Sequence, residues 1–158
     1  MKLTIIGNGV MAQSLAMGLI KSYEVEMIGR DINKLKAIKE KMPQIEIKQL
    51  EDKEDISGKN ILFCVKPFAL ESVAIRLVGT ANIIISILAG TRLDFLKKHI
   101  KARNYVRAMP NIAASVLQSM TTVTGDLETK ELSVKLFSSI GQCVWVQTEN
   151  QLDIATAI

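Results

Sequence analysis

The stretch Gly7-Asn8-Gly9-Val10-Met11-Ala12 (GNGVMA) follows the apolar run LTII of residues 3–6. Its spacing, Gly-x-Gly-x-x-Ala, is typical of the turn between a buried strand and a helix that binds the pyrophosphate of a dinucleotide. Glycine at the first position permits a sharp turn, and glycine at the third lets phosphate approach the backbone. The free N–H groups of the following helix would then face the phosphates. A plain glycine-rich turn and the end of a secretion signal are the alternatives.

The secretion-signal interpretation is not supported by the residues around this turn. Asn8 and Gln13 interrupt the apolar segment that a signal would need, and two glycines break it. No run approaches the roughly 18 apolar residues that span a membrane. We therefore expect a cytoplasmic protein without a membrane partner.

Composition favours one soluble, globular domain that binds no nucleic acid. The chain has 158 residues, of which 48% are hydrophobic and 23% charged, with a net charge of +4. The basic residues are scattered along helical segments such as INKLKAIKEK (32–41), where they alternate with acidic ones. Aromatic residues make up only 4%, which is too few for a base-stacking surface. The positive charge is therefore interpreted as solvated helix faces.

The cysteines and the histidine do not indicate a metal site. Cys64 and Cys143 lie in separate apolar runs without a C-x-x-C partner, so both are predicted to be reduced core residues. A single histidine, His99, excludes a site with several histidine ligands. It falls near a predicted helix end, where a cation is favourable.

Strand-like and helix-like segments alternate along the chain. Strands are predicted over 3–7, 25–29, 45–50, 60–65, 82–88, 104–109, 120–125 and 142–147, and helices over 10–22, 31–41, 68–78, 91–100 and 127–140. This alternation predicts an α/β fold with a doubly wound, mostly parallel sheet of about eight strands. In such sheets ligands bind beyond the carboxyl ends of the strands. The segments that follow the strands, GNGVMA, GRD, VKP, LAG and MPN, should therefore converge on one site.

The end of the second strand bears on which cofactor is preferred. Gly29 stands where NAD-specific sites usually place a carboxylate, and Arg30 follows it directly. Arg30 could grip the 2′-phosphate of NADP, and Lys34 could add a second positive charge. Asp31 is either the N-cap of the next helix or a ribose ligand that would restore NAD binding. NADP(H) is therefore favoured, and NAD(H) is possible.

Three later strand ends carry further candidate residues. Lys66 lies at the end of a buried strand. It is predicted either to form a wall of the cofactor cleft or simply to reach solvent. Pro67 should force Lys66 into an extended conformation. Ala89 and Gly90 are small enough for close ligand approach. Asn111, beside Pro110, offers an amide that could hold a nicotinamide or a small polar substrate.

Taken in order, GNGVMA, GRDINK, CVKP, SILAG and RAMPN resemble the N-terminal domain of pyrroline-5-carboxylate reductases across nearly the whole chain. The resemblance implies a Rossmann domain that binds NAD(P)H. It places the pyrophosphate at Ile6, Gly7, Asn8, Gly9, Val10, Met11 and Ala12. The adenosine ribose would meet Arg30 and its neighbours Asp31 and Lys34, and Val65, Lys66, Pro67, Ala89 and Gly90 would line the cofactor. Pro110 and Asn111 would face the nicotinamide.

The implied reaction is hydride transfer to the C=N bond of 1-pyrroline-5-carboxylate, which gives L-proline. The resemblance also implies a helical C-terminal domain that forms a homodimer or larger oligomer and completes the substrate pocket. The expected boundaries are 1–147 for the cofactor domain and 148–158 for the start of the helical domain, opened by a Thr148–Gln151 capping box. We expect the chain to bind the cofactor but to have little activity alone.

Two differences from the family pattern and three rival functions remain. Gly29 and Asp31 replace the Asn and the Ser or Thr that often flank the arginine, so the cofactor preference stays open. The sequence also stops within the expected helical domain, so we expect a partial chain that lacks much of its substrate site. The rivals are a β-hydroxyacid dehydrogenase, a deazaflavin-dependent NADP reductase and a stand-alone NAD(H)-sensing module.

Overall fold

The computed structural model describes residues 1–157. The ten strands are β1 Lys2–Ile6, β2 Glu24–Gly29, β3 Glu46–Gln49, β4 Glu54–Asp55, β5 Asn60–Phe63, β6 Leu77–Val78, β7 Ala81–Ser86, β8 Ala102–Met109, β9 Ser119–Gly125 and β10 Gly141–Trp145. The six α-helices are α1 Val10–Leu19, α2 Ile32–Lys41, α3 Leu70–Ala74, α4 Leu93–His99, α5 Lys130–Ser138 and α6 Glu149–Ala157. Short 3-10 turns cover Pro67–Ala69, Ile112–Val116 and Leu127–Thr129.

Eight of these strands form one sheet in the order β10-β9-β8-β7-β5-β1-β2-β3. Neighbouring strands are parallel except for β8 and β9, which pair antiparallel. The chain winds from β1 to β3 in one direction and from β5 to β10 in the other, so the order reverses between β1 and β5. This confirms the predicted α/β fold with about eight strands and identifies the position at which doubly wound sheets bind ligands.

Helices cover both faces of the sheet and bury two separate apolar clusters. One cluster joins Leu15 of α1 and Phe137 of α5 to the sheet. The other joins Val73 of α3 and Leu96 of α4 to the opposite face, around Phe63. The central strands are therefore buried on both sides, which explains their continuous apolar runs.

The predicted helix over 68–78 is wrong in its second half. The α-helix ends at Ala74, and Leu77–Val78 forms β6, which pairs with β4 in a separate two-stranded parallel sheet. Arg76 O accepts a hydrogen bond from Glu54 N at 2.7 Å, and Val78 O accepts one from Ile56 N at 2.9 Å. Residues 77–78 therefore pair with a distant strand instead of continuing the helix. Strands of two residues are too short to show the alternation of apolar and polar residues that would reveal them in the sequence.

The two cysteines differ in their surroundings, although both thiols are free. Cys64 is buried, as predicted. Cys143 is only half-buried because β10 is the outermost strand of the sheet, and it packs against the edge of the apolar core rather than inside it. His99 is the last residue of α4, where the sequence placed it. Among residues 1–157 no helix is long and apolar enough to cross a membrane, and no three His, Cys, Asp or Glu side chains cluster as metal ligands.

Candidate dinucleotide-binding site

The turn after β1 packs directly against the chain that leaves β5. Gly7 has a φ of +125°, a conformation that side chains rarely adopt. A Cβ on Gly7 would lie 2.5 Å from the carbonyl oxygen of Cys64. Gly7 N–H also donates to the carbonyl of Ile28 at 2.8 Å, which fixes the turn between β2 and β5. Only glycine fits here, for reasons of both backbone conformation and space.

The N-terminus of α1 opens into free space. Gly9 is the N-cap of this helix and provides no side chain to cap it, and the first turn has no acidic residue. A Cβ on Gly9 would meet no atom within 4 Å. The loop is held from the other side, where Gln13 Nε2 donates to the carbonyl oxygen of Asn8 at 3.1 Å. The first N–H groups of α1 are thus left for an anion.

A cleft of about 220 Å³ lies between the carboxyl ends of β1, β2 and β5. It brings together eight of the predicted residues: Ile6, Gly7, Asn8, Gly9, Arg30, Lys34, Val65 and Lys66. Six further residues line the cleft and were not among the predicted cofactor residues: Ile28, Gly29, Leu50, Cys64, Ala69 and Val73. Burial raises the pKa of the Cys64 thiol, so this group stays neutral. The charged side chains that line the cleft are all cations.

Asp31, although next to the cleft, directs its carboxylate into α2. Its Oδ1 accepts from the N–H groups of Asn33 at 2.9 Å and Lys34 at 3.1 Å. Of the two alternatives for Asp31, the structure shows the N-cap. The backbone beside it is also fixed, since Gln49 Nε2 donates to the carbonyl of Arg30 at 3.1 Å.

The segment after β5 forms the opposite wall. Lys66 has φ −69° and ψ 145°, the extended conformation that Pro67 was predicted to impose. Pro67 begins the 3-10 turn that leads into α3, and Lys66 is exposed at the cleft.

A second cavity of about 280 Å³ follows the carboxyl ends of β7 and β8. It is lined by Ala89, Gly90, Arg107, Met109, Asp153, Thr156 and Ala157. Gly90 has a φ of +68°, so the turn after β7 depends on a glycine there. The five strand ends that were expected to converge on one site therefore line two cavities on the same edge of the sheet.

A buried arginine that the sequence analysis did not single out connects this second cavity to α6. Arg107 is 1% exposed and donates to Glu149 Oε1 at 3.0 Å and to Asp153 Oδ1 at 2.9 Å. Glu149 Oε1 also accepts from the N–H of Leu93, the first residue of α4. Two features of the sequence could have indicated this ion pair: Arg107 lies inside an apolar strand, and the acidic residues Glu149 and Asp153 are four positions apart. The sequence alone, however, does not show that these three residues meet.

The remaining predicted residues do not line either cavity. Asn111 is exposed, and its Oδ1 accepts from Ala113 N–H at 3.1 Å, which caps the turn Ile112–Val116. Ala12 is fully buried in the apolar cluster between α1 and the sheet. Neither cavity is lined by Val10, Met11, Ala12, Asp31, Pro67, Pro110 or Asn111.

These features fit a dinucleotide. The space above Gly9 can admit a phosphate, and the Nδ2 atom of Asn8 is buried without a hydrogen-bond partner. Arg30, Lys34 and Lys66 supply positive charge around the same cleft. The fold and the site together define a Rossmann domain with a cleft for a dinucleotide.

Comparison with known proteins agrees with this class. Residues 2–90 match the family described as NADP oxidoreductase, coenzyme F420-dependent, and the chain belongs to this family. It is also 32% identical over 163 residues to the pyrroline-5-carboxylate reductase of Helicobacter pylori, a match that covers 98% of this chain and 63% of that protein. The resemblance stated from the sequence motifs is thereby confirmed.

Solved structures give the same result. The 1-pyrroline-5-carboxylate reductase of Streptococcus pyogenes superposes with a TM-score of 0.82 at 27% identity, covering 99% of this chain and 62% of that one. The pyrroline carboxylate reductase of Plasmodium falciparum, solved with NADP bound, has a TM-score of 0.76 at 23% identity and covers 100% and 61%, which supports the fold alone. The chain thus spans a little over three fifths of the length of these relatives.

Proposed function

We propose that this chain provides the NADP(H)-binding part of a reductase that converts 1-pyrroline-5-carboxylate to L-proline. The observation that carries the proposal is the cleft at the ends of β1, β2 and β5, where a glycine turn and a helix N-terminus lie beside three cations and no carboxylate. Such a cleft suits a polyphosphate ligand. When bound, the reduced nicotinamide supplies the hydride for the C=N carbon.

The charge distribution supports NADP over NAD. An NAD-selective site places a carboxylate at the end of the second strand, which would repel a 2′-phosphate. Gly29 has no side chain, and the carboxylate of Asp31 is occupied by two N–H groups of α2. Arg30 and Lys34 are exposed on the same side of the cleft and can pair with the phosphate.

Titration calorimetry with NADPH and NADH tests this preference. Losing a charge-assisted contact costs roughly 1.5–3 kcal/mol, so Arg30→Ala should weaken NADPH binding by about 10- to 150-fold and NADH binding hardly at all. Lys34→Ala should act in the same direction. Lys36→Ala is the matched control, because Lys36 is exposed on the same helix but does not line the cleft. Equal losses for both cofactors would refute the assignment of Arg30.

The substrate part of the proposal rests on the relatives that match nearly the whole chain. The family model covers residues 2–90 only and carries a description that names coenzyme F420. The match to the Helicobacter pylori pyrroline-5-carboxylate reductase extends over 98% of the chain and includes the RAMPN segment. We place the boundary of the cofactor domain at residue 147 and assign 148–158 to the start of a helical domain that forms an oligomer.

A chimera tests the substrate. Residues 1–147 would be joined to the C-terminal part of the Streptococcus pyogenes relative. Oxidation of NADPH would be followed with pyrroline-5-carboxylate in one arm and with an oxidised deazaflavin in a second, and reduction of NADP+ would be followed with a β-hydroxyacid in a third. Turnover with pyrroline-5-carboxylate alone supports the proposal. Turnover only with the deazaflavin or the hydroxyacid would replace it with the corresponding rival, and cofactor binding without turnover in any arm would favour the NAD(H)-sensing module. This chain alone should bind NADPH but form little proline.

A further inference from the structure

The backbone conformation at residue 29 does not require a glycine. The φ of Gly29 is not in the left-handed region, in contrast to those of Gly7 and Gly90. The three atoms nearest to a Cβ added at this position all belong to one residue, Asn8. A Cβ on Gly29 would lie 2.5 Å from Nδ2, 2.9 Å from Cγ and 3.2 Å from Cβ of Asn8. The amide of Asn8 therefore fills the space that a side chain at the end of β2 would occupy.

This space is important for cofactor choice. A carboxylate at the end of the second strand is the usual partner of the adenosine ribose in NAD-selective sites. In this chain the same space is filled from the turn after β1, by an amide that carries no charge. The Nδ2 atom of Asn8 is buried and has no hydrogen-bond partner among residues 1–157. Asn8, Gly29, Arg30 and Lys34 all line one cleft.

We propose that Asn8 is a specificity-determining residue for the cofactor and that it acts as a pair with Gly29. Its side chain excludes a carboxylate from the end of β2, and its neutral amide takes the place of that carboxylate without repelling a 2′-phosphate. The pair, rather than either residue alone, keeps the site open to NADP. This inference rests on the proposed NADP(H) binding.

The contact itself can be tested without any cofactor. Gly29→Ala adds only the Cβ, which overpacks against Asn8, and Tm should fall by about 3–8 °C. In an Asn8→Ala background the same change should cost less than about 1 °C, because the colliding atoms are gone. Asn8→Ala leaves the loop tethered, since Gln13 bonds to the backbone oxygen of residue 8 rather than to its side chain. An equal fall in both backgrounds would show that Asn8 does not restrict position 29.

The specificity is tested by a double-mutant cycle with Gly29→Asp, measuring the Kd of NADPH and NADH by calorimetry. Gly29→Asp alone should weaken both cofactors, because the aspartate and Asn8 compete for one space. The double variant Asn8→Ala/Gly29→Asp should recover NADH binding but not NADPH binding, and so shift the NADPH-to-NADH preference at least tenfold toward NADH. Each variant changes the ratio of NADPH affinity to NADH affinity by a measured factor. If the factor for the double variant equals the product of the factors for the two single variants, the pairing of Asn8 with Gly29 is refuted.

Failure of this inference and failure of the proposed function are distinguishable. A wild-type chain that binds NADPH, combined with an additive cycle, would overturn the role of Asn8 and leave the proposed function intact. A wild-type chain that binds neither cofactor would overturn both. In that case the melting experiment with Gly29→Ala would still show whether Asn8 fills the space at position 29.

Discussion

Substitution of Gly9 tests whether the phosphates of the cofactor lie at the N-terminus of α1. Gly9 is the N-cap of this helix with φ −76° and ψ −176°, and a Cβ there would meet no atom within 4 Å. Asparagine and aspartate are both good N-caps, so either should leave the fold intact and stabilise it by a few tenths of a kcal/mol, roughly, over glycine. The two side chains have nearly the same size, and only aspartate is charged. Comparing them therefore separates charge from bulk.

The expected difference follows from simple electrostatics. A carboxylate about 5 Å from a phosphate charge, at an effective dielectric constant of about 20, raises the free energy of binding by about 3 kcal/mol. Gly9→Asp should thus bind NADPH about 100-fold more weakly than Gly9→Asn. Gly9→Asn should itself bind more weakly than the wild type, because its side chain takes space that the phosphate needs. Calorimetry at physiological salt measures both, with Tm as the control for folding. Equal Kd values in two folded variants would refute the placement of the phosphates.

Three further outcomes are expected. Glu149→Ala removes a partner of the buried Arg107 guanidinium and should lower the free energy of unfolding by about 2–3 kcal/mol in urea titrations. Asp153→Ala removes the more exposed partner and should lower it by less than about 1 kcal/mol. Equal losses in the two variants would contradict this order. Burial raises the pKa of Cys143 to about 11 and raises the pKa of Cys64 further. A thiol reagent at pH 8 should therefore label Cys143 slowly and Cys64 only when urea is added. Rapid labelling of two thiols in the folded protein would contradict this expectation. The side chain and backbone of Ser57 donate hydrogen bonds to Asp55 and hold the pKa of its carboxyl group below the usual value of 3.8. The stability that these hydrogen bonds contribute should therefore be present above about pH 4. It should be lost as the pH falls through the lowered pKa of the folded state. Asp55→Asn should reduce that acid dependence in urea titrations, and an unchanged pH profile would count against it.

The elements that the sequence predicted well are those whose signals are local. The glycine motif needs only a strand, a short turn and a helix in succession, and the structure has β1, a three-residue turn and α1 in that order. The N-cap at Asp31 and the capping box between Thr148 and Gln151 are also short-range. In the latter, Thr148 N–H donates to Gln151 Oε1 at 3.2 Å, and Gln151 N–H donates to Thr148 Oγ1 at 3.2 Å. In these cases the residues that interact are neighbours along the chain.

The features that the sequence did not reveal depend on contacts between distant segments. Asn8 and Gly29 are 21 positions apart, and each has an ordinary interpretation alone, as a turn residue and as a strand end. Arg107 is separated from Glu149 by 42 positions. The roles of such residues follow from the strand order, and periodicity does not report strand order. The separation of the strand ends into two cavities has the same origin.

The two cavities are built from different parts of the fold, and this has a consequence for how the chain could work. The cleft that contains Arg30 lies at the ends of β1, β2 and β5, whereas the second cavity lies beside β7, β8 and α6. Glu149 of α6 holds both Arg107 and the N-terminus of α4, and α4 follows directly on the turn that contains Gly90. A shift of α6 would therefore change the second cavity while leaving Arg30 and the glycine turn in place. The contacts that shape the second cavity are thus separate from those that shape the cleft beside Arg30.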